Sequence, residues 1–172
     1  EAVADPYQIS YMGFENEVDL KHVVGADWVF PTVGDNGLRA QLVAIFQSSG
    51  LNQLSMVDPT AMVSPSATIG NSTYVGKGSI INSQTKIGTG VIINSGAIVE
   101  HECRIADGCH VAPGATLCGN VVIGDNSFIG ANSVVRPNIN IANNVVLGAG
   151  SVLIRDIIEP GIWFGNPARY KR

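Results

Sequence analysis

From Val57 onward an aliphatic residue returns at every sixth position, through Val75, Ile93, Val111, Ile129 and Leu147 to Leu153. Four residues after each of these up to Leu147 comes a second, mostly small position: Ala61, Thr73, Ser79, Thr85, Cys103, Cys109 and Ala115 among others, with Ile139 the largest. Between them stand turn formers such as Gly70, Asn71, Gly88, Asn94, Gly124, Asp125 and Asn126, residues that accept tight or left-handed backbone. A helix needs a spacing of 3.6 and a half-buried strand a spacing of 2, so a strict six fits neither. Each hexad is a short strand and a corner. If three hexads close a triangular coil, like positions stack in columns and the strands pair in parallel. The run from Val57 to Val152 then makes a little over five coils, a prism about 25 Å tall at ordinary strand spacing.

Before Val57 the beat of six disappears. The pattern predicts strands over 7–14 and 27–33, a helix over 36–47, and a strand over 51–57 that leads into the prism. Asp35 or Asn36 caps the helix, Leu38, Leu42, Ile45 and Phe46 form its apolar face, and Ser48-Ser49-Gly50 ends it. Alternating strand and helix signals argue for a small parallel α/β unit. The expected organisation is an α/β domain over 1–55, the coil domain over 56–156 and a tail over 157–172.

Composition narrows the function. The chain is 45% hydrophobic and 14% charged, with 20 glycines and a net charge of -4, against a usual charged share of about a quarter. Nothing in that balance offers a basic footprint for nucleic acid. No apolar run reaches the length of a spanning helix, so no membrane insertion is expected. Cys103, Cys109 and Cys118 are odd in number and lack zinc-site spacing, which indicates neither a disulfide framework nor a metal and suits a reducing cytoplasm. The chain opens on Glu1 rather than methionine, so a longer gene product is expected.

Only two histidines occur in the hexad region, His101 and His110. His101 and Glu102 fall at a corner, outside the packed column. An imidazole can accept a proton at neutral pH, and a neighbouring carboxylate can fix its tautomer, so the pair has the makings of a general base. Cys103 and Cys109 occupy the small interior position and read as buried apolar residues rather than nucleophiles.

The hexad pattern, with Ile69-Gly70, Val75-Gly76, Ile87-Gly88 and Ile123-Gly124, resembles the left-handed parallel β-helix of the hexapeptide-repeat acyltransferases. Gly165-Asn166-Pro167-Ala168-Arg169 resembles the signature that follows the β-helix in many of them. The run from His101 through His110 to Gly124 is similar to the active-site segment of the sialic acid O-acetyltransferase and bacillosamine N-acetyltransferase group. Val33-Gly34-Asp35-Asn36 with Arg39 resembles the later part of that group's Rossmann-like domain. The group's Gly-rich first loop is missing here, so the N-terminus is longer or the acceptor is recognised differently. The fold implied is mainly β, a left-handed β-helix preceded by a small, incomplete Rossmann-like domain.

The resemblance implies acetyl-CoA as co-substrate, with direct transfer to the amine of a nucleotide-linked amino sugar. Within it His101 is the catalytic base and Glu102 orients it. His110 contacts the acetyl-CoA thioester or pantetheine region, main-chain amides near Gly119, Ala131 and Ala149 line the cofactor groove, and Asn94 holds the acceptor sugar. Asn94 and His101 occupy successive corners, too far apart for contact within one chain. The family's homotrimer, with sites between subunits, would bring them to one substrate. Transfer to a sugar hydroxyl remains an alternative, because the same base serves both nucleophiles. A zinc enzyme like the γ-carbonic anhydrases needs three histidines where this prism has two, and a non-catalytic scaffold gives no reason for the His101-Glu102 corner.

Overall fold

The computed structural model describes residues 10–15, 17–25 and 27–171. Short strands recur every six residues from β3 (Met56–Val57) to β19 (Val152–Leu153). Each pairs in parallel with the strands one coil below and above, as in Ile80 beside Ile98 beside Thr116. The strands sort into sheets of six, five and eight members, the three faces of a left-handed parallel β-helix. From Val75 to Leu153 the aliphatic column is buried throughout and fills the prism. Each buried side chain of this kind contributes roughly 1.5–3 kcal/mol. Val57 is instead 46% exposed, because it stands at the open end with no coil beneath it.

The small interior column does more than save space. Thr73 Oγ1 donates to the Gly88 carbonyl at 2.9 Å, Thr85 Oγ1 to Glu100 at 2.9 Å and Ser127 Oγ to Ala142 at 2.9 Å. Cys103 and Cys109 make the matching contacts through sulfur, to Cys118 and Gly124. These carbonyls belong to corners, where the strand ladder cannot reach them. From Ser72 onward the third corner residue sits in the left-handed region, and the chain fills it mostly with glycine or with Asn120, Asn126, Asn132, Asn138 and Asn144. Ser72, Gln84 and Glu102 are the other occupants, at φ of 56°, 59° and 62°. The N–H of this residue donates to the corner below, as Glu102 does to Ser83 at 2.9 Å and Asn120 to His101 at 2.8 Å.

Past Leu153 the chain does not leave the prism. Strand β20 (Gly161–Gly165) lies parallel on Val145–Leu147 and adds a rung, then turns back through Asn166-Pro167 into antiparallel β21 (Ala168–Tyr170).

In the N-terminal part, β1 (Trp28–Val29) and β2 (Asn52–Gln53) pair in parallel on either side of helix α2 (Asn36–Ser48). Asp35 caps α2 by accepting from Leu38 N at 2.8 Å. Residues 10–14 form no strand, and 7–9 lie outside the described residues. A single helical turn, α1 (Leu20–Val24), appears where none is predicted, held by Asp19 accepting from Lys21 N and His22 N. Five residues are too few for an apolar period to register. The strand predicted over 27–33 stops at Val29; Pro31, without an N–H, cannot extend a ladder.

Helix α2 seats on the prism through a charged residue and not through the whole apolar stripe predicted. Leu38 is exposed, whereas Arg39 is only 1% exposed. Its Nε donates to Gly90 O at 2.7 Å, and Nη2 to Gly108 O at 2.9 Å and Asn36 Oδ1 at 2.7 Å. Nη1 donates to Val33 O and Gly34 O at 3.1 and 2.9 Å. One guanidinium thus ties two successive coils to the loop before α2. Its hydrogen-bonding groups are all used, which is what makes its burial tolerable. Arg39→Met fills the space but orphans these carbonyls, so it is expected to lower stability by about 3 kcal/mol, read in urea unfolding as early release of the N-terminal part.

Candidate active site

At one corner His101 Nδ1 lies 3.0 Å from Glu102 Oε2, with both side chains a little over half exposed. The carboxylate accepts the Nδ1 proton, which leaves Nε2 with a free lone pair. Glu102 holds this place although its backbone is left-handed, a conformation that costs a residue with a Cβ about 1 kcal/mol. The chain uses asparagine or glycine at most equivalent positions. Gln84, one coil below, takes the same conformation, so this corner accepts a long polar side chain, and at 102 that side chain is the carboxylate that meets the imidazole. One coil above, Gly119 lies under the imidazole: a Cβ there would stand 2.5 Å from Cε1 and 2.6 Å from Nε2.

Asn94 and His110 meet elsewhere, beside a cavity of about 360 Å³ between the prism and the loop that precedes α2. Its walls include Phe30, Tyr74, Ile92 and the Thr32-Val33-Gly34 segment. Asn94 Oδ1 accepts from Ser95 N at 2.8 Å, which orients the amide so that Nδ2 donates to His110 Nε2 at 3.1 Å. The proton of the neutral ring then sits on Nδ1, which has no hydrogen-bond partner of ordinary geometry. Burial, and secondly the Arg39 guanidinium, hold the His110 pKa down at about 4, while the Gly34 backbone pulls weakly the other way. His110 is a neutral ring at physiological pH and also packs edge-on against Phe128 at 5.0 Å.

Ala131 and Ala149 stack one coil apart at the same corner as Asn94, in the column of Ser95, and Gly150 N, next to Ala149, donates to Ala131 O at 2.8 Å. The candidate residues therefore fall into two groups on one chain. His101, Glu102 and Gly119 share a corner, while Asn94, His110, Ala131 and Ala149 belong to the next corner and the face beyond it. Arg39 and Tyr74 are site residues that sequence reasoning missed. A signal for Tyr74 existed, since it stands two coils below His110 in the same outward column. Cys103 and Cys109 are buried, and burial pushes their thiols up to about 11 and about 12, far from nucleophilic thiolates. Among the described residues no group of three or more His, Cys, Asp and Glu side chains is placed to hold a metal ion. No helix among them is long and apolar enough to cross a membrane.

The bacterial transferase hexapeptide (six repeats) family model matches residues 84–119 and 120–155. Among solved structures the chain is similar to PerB from Caulobacter crescentus in complex with CoA and GDP-perosamine: 35% identity, a TM-score of 0.86, and coverage of 88% of this chain and 73% of that one. The acetyltransferase domain of PglB from Neisseria gonorrhoeae shares 33% identity over 83% and 69% of the two chains, with a TM-score of 0.80. WeeI from Acinetobacter baumannii shares 25% over 86% and 72%, with a TM-score of 0.81. A comparison with curated protein sequences found no match. The fold and these likenesses define an acyltransferase of the β-helix class. The chain belongs to the hexapeptide-repeat transferase family, alongside PerB and the PglB acetyltransferase domain.

Replacing Glu102 by asparagine relieves the left-handed strain, so Glu102→Asn is expected to keep or raise thermal stability by about 1 kcal/mol while lowering turnover at least ~10-fold. His110 carries its own pH signature. Its folded pKa, about 4, lies below the unfolded value near 6.5, so its contribution is complete above 6.5 and is lost as pH falls toward 4. Thermal melts across that window are expected to show a shallower acid loss for His110→Gln than for the wild type.

Proposed function

We propose that the protein transfers the acetyl group of acetyl-CoA to the amine of a nucleotide-linked amino sugar. The observation that carries this reading is the His101-Glu102 pair at a solvent-facing corner of an acyltransferase β-helix. Support comes from PerB, solved with CoA and GDP-perosamine, and from the PglB domain, solved with acetyl-CoA. A histidine-to-alanine and a histidine-to-asparagine variant of the Caulobacter GDP-perosamine N-acetyltransferase were also solved with both ligands.

In the proposed reaction the acceptor nitrogen attacks the thioester carbonyl as His101 Nε2 takes its proton. Glu102 stabilises the imidazolium that forms, and a main-chain amide at this corner, with Gly119 as the candidate, receives the developing oxyanion. The C–S bond then breaks, the sulfur takes the proton back from the imidazolium, and the products are the N-acetyl sugar and free CoA. No covalent enzyme intermediate is needed.

The acceptor enters the cavity beside Asn94 and His110, where a neutral imidazole and an oriented amide offer hydrogen bonds without charge. Phe30 to Gly34 and Arg39 close this cavity from the N-terminal side. Ala131 and Ala149 line the acetyl-CoA groove on the coils above. Because the base and the cavity occupy different corners, the working unit is a homotrimer in which a neighbouring copy brings its His101 to the acceptor. The face between the two corners supports this, since its outward column includes Met62, Ile80, Ile98 and Val134, of which Met62 is 59% exposed. Three free thiols suit a reducing cytoplasm.

The test is an acceptor screen with acetyl-CoA and detection of the released thiol. His101→Ala is expected to lower kcat at least ~100-fold, the scale of a lost general base, and near-normal turnover in that variant would overturn the assignment.

A further inference from the structure

At the second position of the corner the chain avoids glycine. From Pro59 to Arg155 that position holds Asn71, Lys77, Ser83, Thr89, His101, Asp107 and other residues with a Cβ, and Gly119 is the only exception. The backbone does not require it. Gly119 lies outside the left-handed region that the third corner residue occupies. Its equivalents one coil below and above the His101-Gly119 pair, Ser83 and Pro137, carry their side chains into solvent. Gly119 alone at this corner is buried, and what covers it is the imidazole of His101.

The missing methyl group is thus a vacancy filled by catalytic atoms. A Cβ would meet Cε1 at 2.5 Å, Nε2 at 2.6 Å and Nδ1 at 3.2 Å, so ring and methyl cannot share the space. At Gly70, Gly76, Gly88, Gly124 and Gly130 a Cβ would also meet backbone atoms of the next coil, and Gly108, Gly114 and Gly161 have a positive φ, so at each of these the fold itself calls for glycine. At Gly119 the obstacle is the end of an exposed side chain, which can swing outward at little cost to the fold.

We infer that Gly119 is a positioning residue for the reaction, a seat on which the His101 ring rests while Glu102 grips Nδ1. This goes beyond a main-chain role in the cofactor groove and rests on the reading of His101 as the base. The two contacts divide the work: Glu102 sets the tautomer and one edge of the ring, and the Gly119 Cα sets the depth to which the ring lies across the corner. Together they restrain a side chain that is otherwise more than half exposed. Alanine at 119 keeps the main-chain amide, so the substitution removes the seat without removing a hydrogen-bond donor.

The experiment compares Gly119→Ala with His101→Ala and with Pro137→Ala, the same corner position one coil on. Its readouts are melting temperature, kcat, KM for acetyl-CoA, and the ¹⁵N spectrum of the His101 ring without substrate. Gly119→Ala is expected to melt within a few degrees of the wild type and lose ~10- to 100-fold in kcat, the scale of a misplaced catalytic group. KM for acetyl-CoA should change little, and the ¹⁵N signals should pass from one held Nδ1–H tautomer to an averaged pair. Pro137→Ala should match the wild type throughout. A wild-type kcat and unchanged ¹⁵N signals in Gly119→Ala would overturn the seat, as would a large fall in melting temperature, which would make the residue structural. If His101→Ala stays active while Gly119→Ala still alters the ring signals, it is the general-base reading that fails and not the seat.

Discussion

Everything in this molecule is built on the stacking of like residues one coil apart. Parallel strands only two residues long cannot hold themselves together by their own ladders. They persist because each belongs to a column in which every member occupies the same place. That demand explains the aliphatic column, the small column beside it and the hydroxyls and thiols that serve corner carbonyls. It also explains why asparagine and glycine crowd the third corner position, where the backbone turns left-handed. The same regularity turns departures into information. Glu102 in a left-handed position and Gly119 where side chains are the rule are neighbours in space, and both touch the His101 ring.

The N-terminal part is joined to this prism by a different kind of interaction. Arg39 enters with a full charge and finds main-chain carbonyls from two coils and from the loop before its own helix. Burial disfavours that charge and lowers the pKa of the guanidinium, so the contact is directional and demanding where the prism interior is merely apolar. It has a second effect. By holding Gly34 near His110 and placing a positive charge beside it, Arg39 helps to close the cavity and to keep the histidine neutral. The two histidines of the prism thereby have opposite characters, one exposed and paired with a carboxylate, the other enclosed and facing a cation.

The faces of the prism differ in their outward chemistry. A triangular coil separates successive corners by a whole face, and the face between the two relevant corners has an apolar outward column. The opposite arrangement holds on the face bearing Lys86 and Arg104, whose outward side chains are charged and exposed.

The β-helix from Val75 to Leu153 was legible in the chain because its period is local: a residue's column follows from counting by six, and burial over that stretch agreed with the count, whereas the segment read as a tail adds a rung that the count did not show. The His101-Glu102 corner was legible for the same reason, as adjacent residues at a known place in the hexad. The N-terminal part was read less well. Helix α2 stood where capping and periodicity put it, but residues 10–14 form no strand, the strand over 27–33 shrank to Trp28–Val29, that over 51–57 split into two pairs of residues, and the face the helix buries is set by Arg39 rather than by Leu38. Counting along the chain could not show that Asn94 and His110 share a cavity with the Thr32-Val33-Gly34 loop, nor that a ring lies on Gly119. Those contacts join residues through side-chain direction and through packing of distant segments. Periodicity determined where each residue of the prism stands; only the folded chain decided what each side chain touches, because touch depends on rotamers and on a partner segment that the repeat does not encode.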